Sequence, residues 1–169
     1  MISAPAAAVP EIVAEAGLAG VAGAAILSAG LGYGAGSLAE IAGQTARRHG
    51  MRRFGPNCLG VMVPRAKLNA SFASHQPSDG HVALISQSGA VASAMIEWAA
   101  ERRLGFSGIA SIGDQLDVDV ADLLDYFALD DHTSAILIYL EAVKDARKFM
   151  SAARAAARWS SRVSTSARR

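Results

Sequence analysis

The chain has 169 residues, of which 51% are hydrophobic and 18% charged, with a single cysteine. That balance excludes a disordered or fibrous protein and leaves room for one or two small domains. A formal net charge of +1 and a pI near 8.0 mark out neither a nucleic-acid binder nor a protein built for an acidic partner, and the lone Cys58 excludes an intrachain disulfide.

The N-terminus, Met1 to Pro5, lacks the basic region and continuous apolar core of a secretory signal. Together with the single cysteine this points to a cytoplasmic setting. The uncharged stretch 16–39 is long enough to span a bilayer, but seven glycines interrupt it and alanine dominates it, which argues against insertion.

Val9 to Gly17 has Ile12, Val13 and Ala16 at helical spacing, and 21–28 reads as a buried strand. The Gly-rich loop 30–36 follows. Residues 37–50 form the next predicted helix, with Ser37 as N-cap, Glu40 at the capping-box position and Gly50 as the stop. Met51 to Phe54 is a short strand. The stretch from Arg47 to Lys67 carries Arg47, Arg48, Arg52, Arg53, Arg65 and Lys67, with no acid between Glu40 and Asp79, and so offers a basic face suited to phosphates.

Residues 63–80, with Pro64, Pro77 and scattered Ser, Asn and His, read as a linker. Strands are then predicted at 81–85, 108–112 and 135–140, and helices at 90–103, 118–129 and 145–158. Short apolar strands alternating with helices imply an α/β protein with a parallel, doubly wound sheet. Residues 159–169 have no periodicity and read as an unstructured tail.

Four motifs carry chemistry. In Ile85-Ser86-Gln87-Ser88-Gly89-Ala90 a strand ends and a helix begins, and a helix N-terminus offers free N–H groups and positive potential to an anion. A plain serine cap would also explain this turn. Gly55-Pro56-Asn57-Cys58-Leu59-Gly60 puts a rigid turn and an amide at a strand's C-terminal end, the edge where open α/β sheets bind ligands. No feature supplies a base for Cys58, so it reads as a structural or ligand-contacting thiol. Asp114, Asp117 and Asp119 cluster after a strand, where they suit a metal or a helix start. Glu141 directly follows an apolar strand at the same ligand edge. Gly30-Leu31-Gly32-Tyr33-Gly34-Ala35 matches a dinucleotide fingerprint, but no acid follows about twenty residues on. It reads as a βα loop.

In register, Gly55 to Gly60, Ile85 to Gly89, Ser111-Ile112-Gly113-Asp114-Gln115 and Tyr139-Leu140-Glu141 resemble the NDP-forming acyl-CoA synthetase superfamily. That group includes the succinyl-CoA synthetase α subunit, ADP-forming acetyl-CoA synthetases and the CoA-ligase-like part of bacterial protein lysine acetyltransferases. The resemblance implies that 1–62 is the C-terminal part of a Rossmann-like CoA-binding domain, 63–80 a linker, 81–158 a truncated flavodoxin-like succinyl-CoA-ligase domain and 159–169 a tail. It places Pro5, Ser28, Asn57 and Cys58 on CoA-contacting positions. Ser86, Ser88, Gly89 and Ala90 become the phosphate cradle facing a phosphohistidine, and Glu141 the glutamate that orients that histidine.

In such enzymes acyl-CoA, phosphate and an NDP give acid, CoA and NTP through the phosphohistidine. The resemblance therefore implies CoA as substrate, with ADP or GDP and Mg bound elsewhere in the complete enzyme, and an ATP-grasp subunit or domain as partner. The other reading is a CoA-sensing regulatory module beside an acetyltransferase domain. Asp114 stands where the family usually has Asn, and Leu116 where a small residue is typical. The family's first strand, its Gly-rich turn and its phosphorylated histidine have no counterpart, and the family's Lys-Pro and buried strand do not follow at Trp159. The chain is accordingly expected to be a fragment, frameshifted near Trp159 and not catalytic alone.

Overall fold

The computed structural model describes residues 1–166, with side chains described as far as Ala157. Two sheets organise it. The smaller pairs β1 (Gly23–Ala25) in parallel with β2 (Arg52–Phe54), with Gly23 opposite Arg52. Ile2 bridges in parallel to Ile26, so the N-terminus lies along the same strand. Helices α1 (Val9–Leu18) and α2 (Leu38–Arg48) cover this sheet. Its core is Ile2, Val9, Val13, Ile26, Leu31, Ala42, Ala46 and Met51, all buried. Ser37 caps α2 by accepting the Glu40 N–H at 3.1 Å. The Glu40 carboxylate reaches back to the N–H of Gly36, at 2.6 Å, one residue earlier than a capping box requires.

The larger sheet has the order β4-β3-β6-β5-β7. Strands β3 (Gly60–Val63) and β4 (Leu68–Ser71) form an antiparallel hairpin, and β3 also runs antiparallel to β6 (Gly105–Ser111). The strands β5 (Ser78–Ser86), β6 and β7 (Ala135–Tyr139) are parallel, with β5 between the other two. The period of two in β5 divides the core. Leu84 joins Leu59, Met62, Ala92, Ile96 and Ile109 beneath α3 (Gly89–Glu101). Ala83 and Ile85 join Leu123, Leu124, Phe127 and Ala152 beneath α4 (Val120–Ala128) and α5 (Ala146–Ser166). Helices on both faces make this part doubly wound, as expected.

Two sequence expectations are corrected. Residues 63–80, read as a linker, contain the end of β3, the whole of β4 and the start of β5. Pro64 is a turn former in isolation, but pairing of Leu68 and Asn69 with Val63 and Met62 makes much of this segment sheet. The segment read as an unstructured tail from Trp159 continues α5 to Ser166, and residues 167–169 lie outside the described residues. The run Ala146 to Arg158 is rich in Ala, Arg and Lys, strong helix formers, and its Phe149, Ala152, Ala153 and Ala156 recur at helical spacing against the core.

The loop after β6 joins the two sheets. Asp114 N–H donates to Pro56 O (3.0 Å), Leu116 N–H to Gly55 O (3.3 Å) and Val118 N–H to Arg53 O (3.1 Å). Gly113 has φ +49°, and a Cβ there would overlap the carbonyl oxygens of Pro56 and Asn57, so only glycine permits this docking. Leu116, larger than the residue expected there, packs against the core of the smaller sheet.

Candidate functional site at the C-terminal edge of the parallel strands

Ser86, Ser111 and Tyr139 stand in one register row at the C-terminal ends of β5, β6 and β7. Every sequence-predicted site residue of the larger sheet lies just beyond this row. Ser86 is fully buried, and its hydroxyl donates to Ser88 O at 2.7 Å while accepting Ser88 N–H at 3.2 Å. Its role is to shape the turn, since its proton is spent inside the protein. Ser88 adopts the extended N-cap conformation, and its Oγ accepts Val91 N–H at 3.3 Å. That leaves the Ser88 hydroxyl proton free to donate outward. Gly89 and Ala90 open the first turn of α3, where N–H groups lack a carbonyl four residues back. A Cβ on Gly89 would meet Leu59 at an ordinary 3.6 Å, so packing alone does not demand glycine here.

Glu141 is exposed, and its backbone is held rather than loose. Gln87 Oε1 accepts the N–H groups of Glu141 (2.6 Å) and Ala142 (2.9 Å), and Gln87 N–H donates to Tyr139 O at 3.1 Å. In the sequence Gln87 is simply the middle residue of the turn motif. Its alternative use as a ligand contact and its use as a clamp look alike in sequence.

The four residues predicted to contact CoA gather at the matching edge of the smaller sheet. Ser28 Oγ donates to Ala4 O (2.6 Å) and accepts Ala4 N–H (3.1 Å), fixing the backbone just before Pro5. Asn57 N–H donates to Ser28 O at 3.0 Å, and its exposed side-chain amide donates to Asp114 Oδ1 at 3.3 Å. Cys58 is buried, with Sγ donating to Ile26 O at 3.3 Å, and burial pushes its thiol up to about 11. It is a neutral, inert thiol at neutral pH, with no nucleophilic character.

The acid cluster is used structurally. Asp119 caps α4 in a full capping box with Asp122. Asp117 Oδ1 pairs with Arg52 Nε at 3.1 Å, and its Oδ2 accepts Arg53 N–H at 2.8 Å. Lys148 Nζ from α5 reaches Asp119 (2.8 Å) and Asp122 (2.7 Å). Burial would raise the Asp122 carboxyl, but the Lys148 and Asp119 hydrogen bonds and the charges of Lys148 and Arg52 hold it below its ordinary range. Among the described residues no group of three or more His, Cys, Asp or Glu is arranged to hold a metal ion. None of the helices there is long and apolar enough to cross a membrane.

A family model described as the succinyl-CoA ligase like flavodoxin domain matches residues 79–163, half of the chain. The sequence is 43% identical over 157 residues to the α subunit of ADP-forming acetate–CoA ligase I from Pyrococcus furiosus, covering 91% of this chain and 34% of that protein. It is 41% identical over 161 residues to ADP-forming acetate–CoA ligase I of Archaeoglobus fulgidus, covering 94% of this chain and 24% of that protein. Among solved structures, the dinucleotide forming acetyl-coenzyme A synthetase 1 of Ca. Korarchaeum cryptofilum, in complex with phosphate and ADP, superposes with a TM-score of 0.84 at 37% identity. That match covers 91% of this chain and 34% of the other. The chain thus spans about a quarter to a third of the length of these relatives.

Proposed function

Because the chain belongs to the NDP-forming acyl-CoA synthetase superfamily, through its succinyl-CoA-ligase-like flavodoxin domain, we propose that it works as an α-type module of an ADP-forming acyl-CoA ligase. The observation that carries this reading is the clamped edge of the larger sheet. A helix N-terminus with a free serine hydroxyl proton stands beside a carboxylate whose backbone is fixed by Gln87.

In this proposal the N–H groups of Gly89 and Ala90 and the Ser88 hydroxyl receive the phosphoryl oxygens carried by a histidine of the complete assembly. Backbone donors and the helix dipole stabilise that charge without reorganising at the moment of transfer. Glu141 accepts a ring N–H of the same histidine and so sets which nitrogen carries the phosphoryl group. Ser86 supports the cradle from below. Pro5, Ser28, Asn57 and Cys58 supply part of the CoA surface, with Asn57 as the exposed polar contact and Cys58 as packing. ADP or GDP with Mg binds an ATP-grasp subunit or domain, which is the partner this module requires.

The named relatives are ligases, which favours this reading over a CoA-sensing module of an acetyltransferase. The test is a transplant. Residues 79–157 replace their counterpart in the Pyrococcus furiosus α subunit, and ATP formation from acetyl-CoA, phosphate and ADP is measured with its nucleotide-binding partner. The proposal expects ATP formation. A folded chimera that binds its partner and makes no ATP would refute it.

A further inference from the structure

The basic face noted in the sequence resolves into an unusual pair. Arg53, on β2, is only 3% exposed, and its Nε has no hydrogen-bond partner among the described residues. The nearest acid is Asp117, whose Oδ2 lies 3.9 Å from that nitrogen, already bound to Arg53 N–H and sharing its carboxylate with Arg52. A buried guanidinium whose single counter-charge is distant and shared with Arg52 is costly.

Arg47, on α2, aims at the same space. A methyl group on Gly43 would stand 3.1 and 3.2 Å from the two terminal nitrogens of Arg53 and 3.4 Å from one of Arg47. Two guanidinium groups therefore converge over one glycine, in a helix interior where alanine would otherwise be preferred. They form one wall of an open cleft of about 280 Å³, lined also by the loop residues Gly34 and Ser37 and by Glu40. Glu40 is the one acid on that wall, and one of its oxygens is bound to Gly36 N–H. Burial and the Arg47 charge, working against Asp117, hold Arg53 below its ordinary range, which an anion in the cavity would relieve.

We propose that this cavity, between the Gly-rich loop, α2 and β2, binds a small phosphate group through Arg53 and Arg47. Paired guanidinium forks match the several oxygens of a phosphate dianion, and a single carboxylate would leave one fork unfilled. The volume exceeds that of a lone phosphate, since a water's share of liquid is about 30 Å³. The phosphate is therefore either free or the end of a small monoester. The site is separate from the β5–α3 turn, whose residues do not line it.

Calorimetric titration of the 169-residue chain with inorganic phosphate, and separately with glycerol 3-phosphate, tests this. Saturable binding is expected, weakened about tenfold or more by Arg47→Gln and by Arg53→Met and unchanged by Arg65→Gln, an exposed arginine outside both this cavity and the β5–α3 turn. Arg47 is exposed, so Arg47→Gln keeps the test valid if Arg53→Met fails to fold. Binding of the ester alone assigns the monoester as the source, and binding of both assigns free phosphate. No saturable binding of either, or binding indifferent to Arg47→Gln, or binding weakened as much by Arg65→Gln, overturns the proposal.

Discussion

Gln87 Oε1 lies 2.6 Å from the backbone nitrogen of Glu141, so the turn that ends β5 and the residue that follows β7 move as one piece. The two residues are far apart in sequence, and the bond depends on β5 and β7 being parallel neighbours in register from Val82 to Ser86. If the turn cradles a phosphoryl group and Glu141 orients its carrier, as proposed, the two need a fixed separation, which this bond would hold.

Replacing Gln87 with Met keeps length and removes the acceptor. Unfolding stability should fall by about 0.5–1.5 kcal/mol, because the exposed Glu141 and Ala142 N–H groups exchange this partner for water. In the ligase chimera the loss of ATP formation should exceed what the fraction unfolded accounts for. Chemical denaturation and turnover on the same samples separate these effects.

Ser88 has two separable roles. Ser88→Ala removes the cap on α3 and should cost about 1 kcal/mol, a Tm drop of about 2–4 °C for a chain of this size. Ser88→Asp restores a capping acceptor but places negative charge where the phosphoryl oxygens would sit. Thermal melts should show Ser88→Asp at least as stable as Ser88→Ala, while ATP formation in the chimera is lowest for Ser88→Asp.

Cys58 should resist alkylation in the native chain. With its thiol pushed up to about 11 and its side chain buried, iodoacetamide labelling at pH 8 should be slow until denaturant is added. The folded value lies above the thiol's ordinary 9.0, so this group's stabilising contribution is complete below pH 9 and is lost as pH rises towards 11. Rapid native labelling would contradict the structure around Ile26.

Asp122 ties α4 to Arg52 and to Lys148 of α5. Its carboxyl is held below its ordinary value of 3.8, so its contribution is present above that pH and is lost as pH falls through the lower folded value. Asp122→Asn should therefore destabilise the chain at pH 7 by about 1–2 kcal/mol and make steadily less difference as pH falls below 3.8. Urea titrations across this range supply the check.

Much of this architecture is legible locally. Ser37 caps α2 as its spacing predicts, Ser88 fulfils the plain-cap reading of its turn, and Asp119 rather than Asp117 caps α4, all legible because a cap is a contact within four residues. The alternation Ala83, Leu84, Ile85 marks a strand buried on both faces. What was illegible is non-local. The β3–β4 hairpin depends on β6, more than forty residues away, while Gly60 and Pro64 signal a break on their own. Arg53 carries no sign of burial, since β2 is three residues long and its neighbour Arg52 points to Asp117 and Asp122. Glu141 was placed at the right edge by the strand before it, but the clamp from Gln87 exists only once β5 and β7 pair.

The most direct test of the proposed module is a single-turnover measurement in the ligase chimera. Phosphohistidine formed from acetyl-CoA and labelled phosphate would be followed by rapid quench. The account predicts that Glu141→Gln and Ser88→Asp each slow phosphoryl arrival by about a hundredfold or more while CoA affinity is kept, the range seen when one preorganised group is removed. Phosphohistidine forming at the unaltered rate in both variants would contradict it.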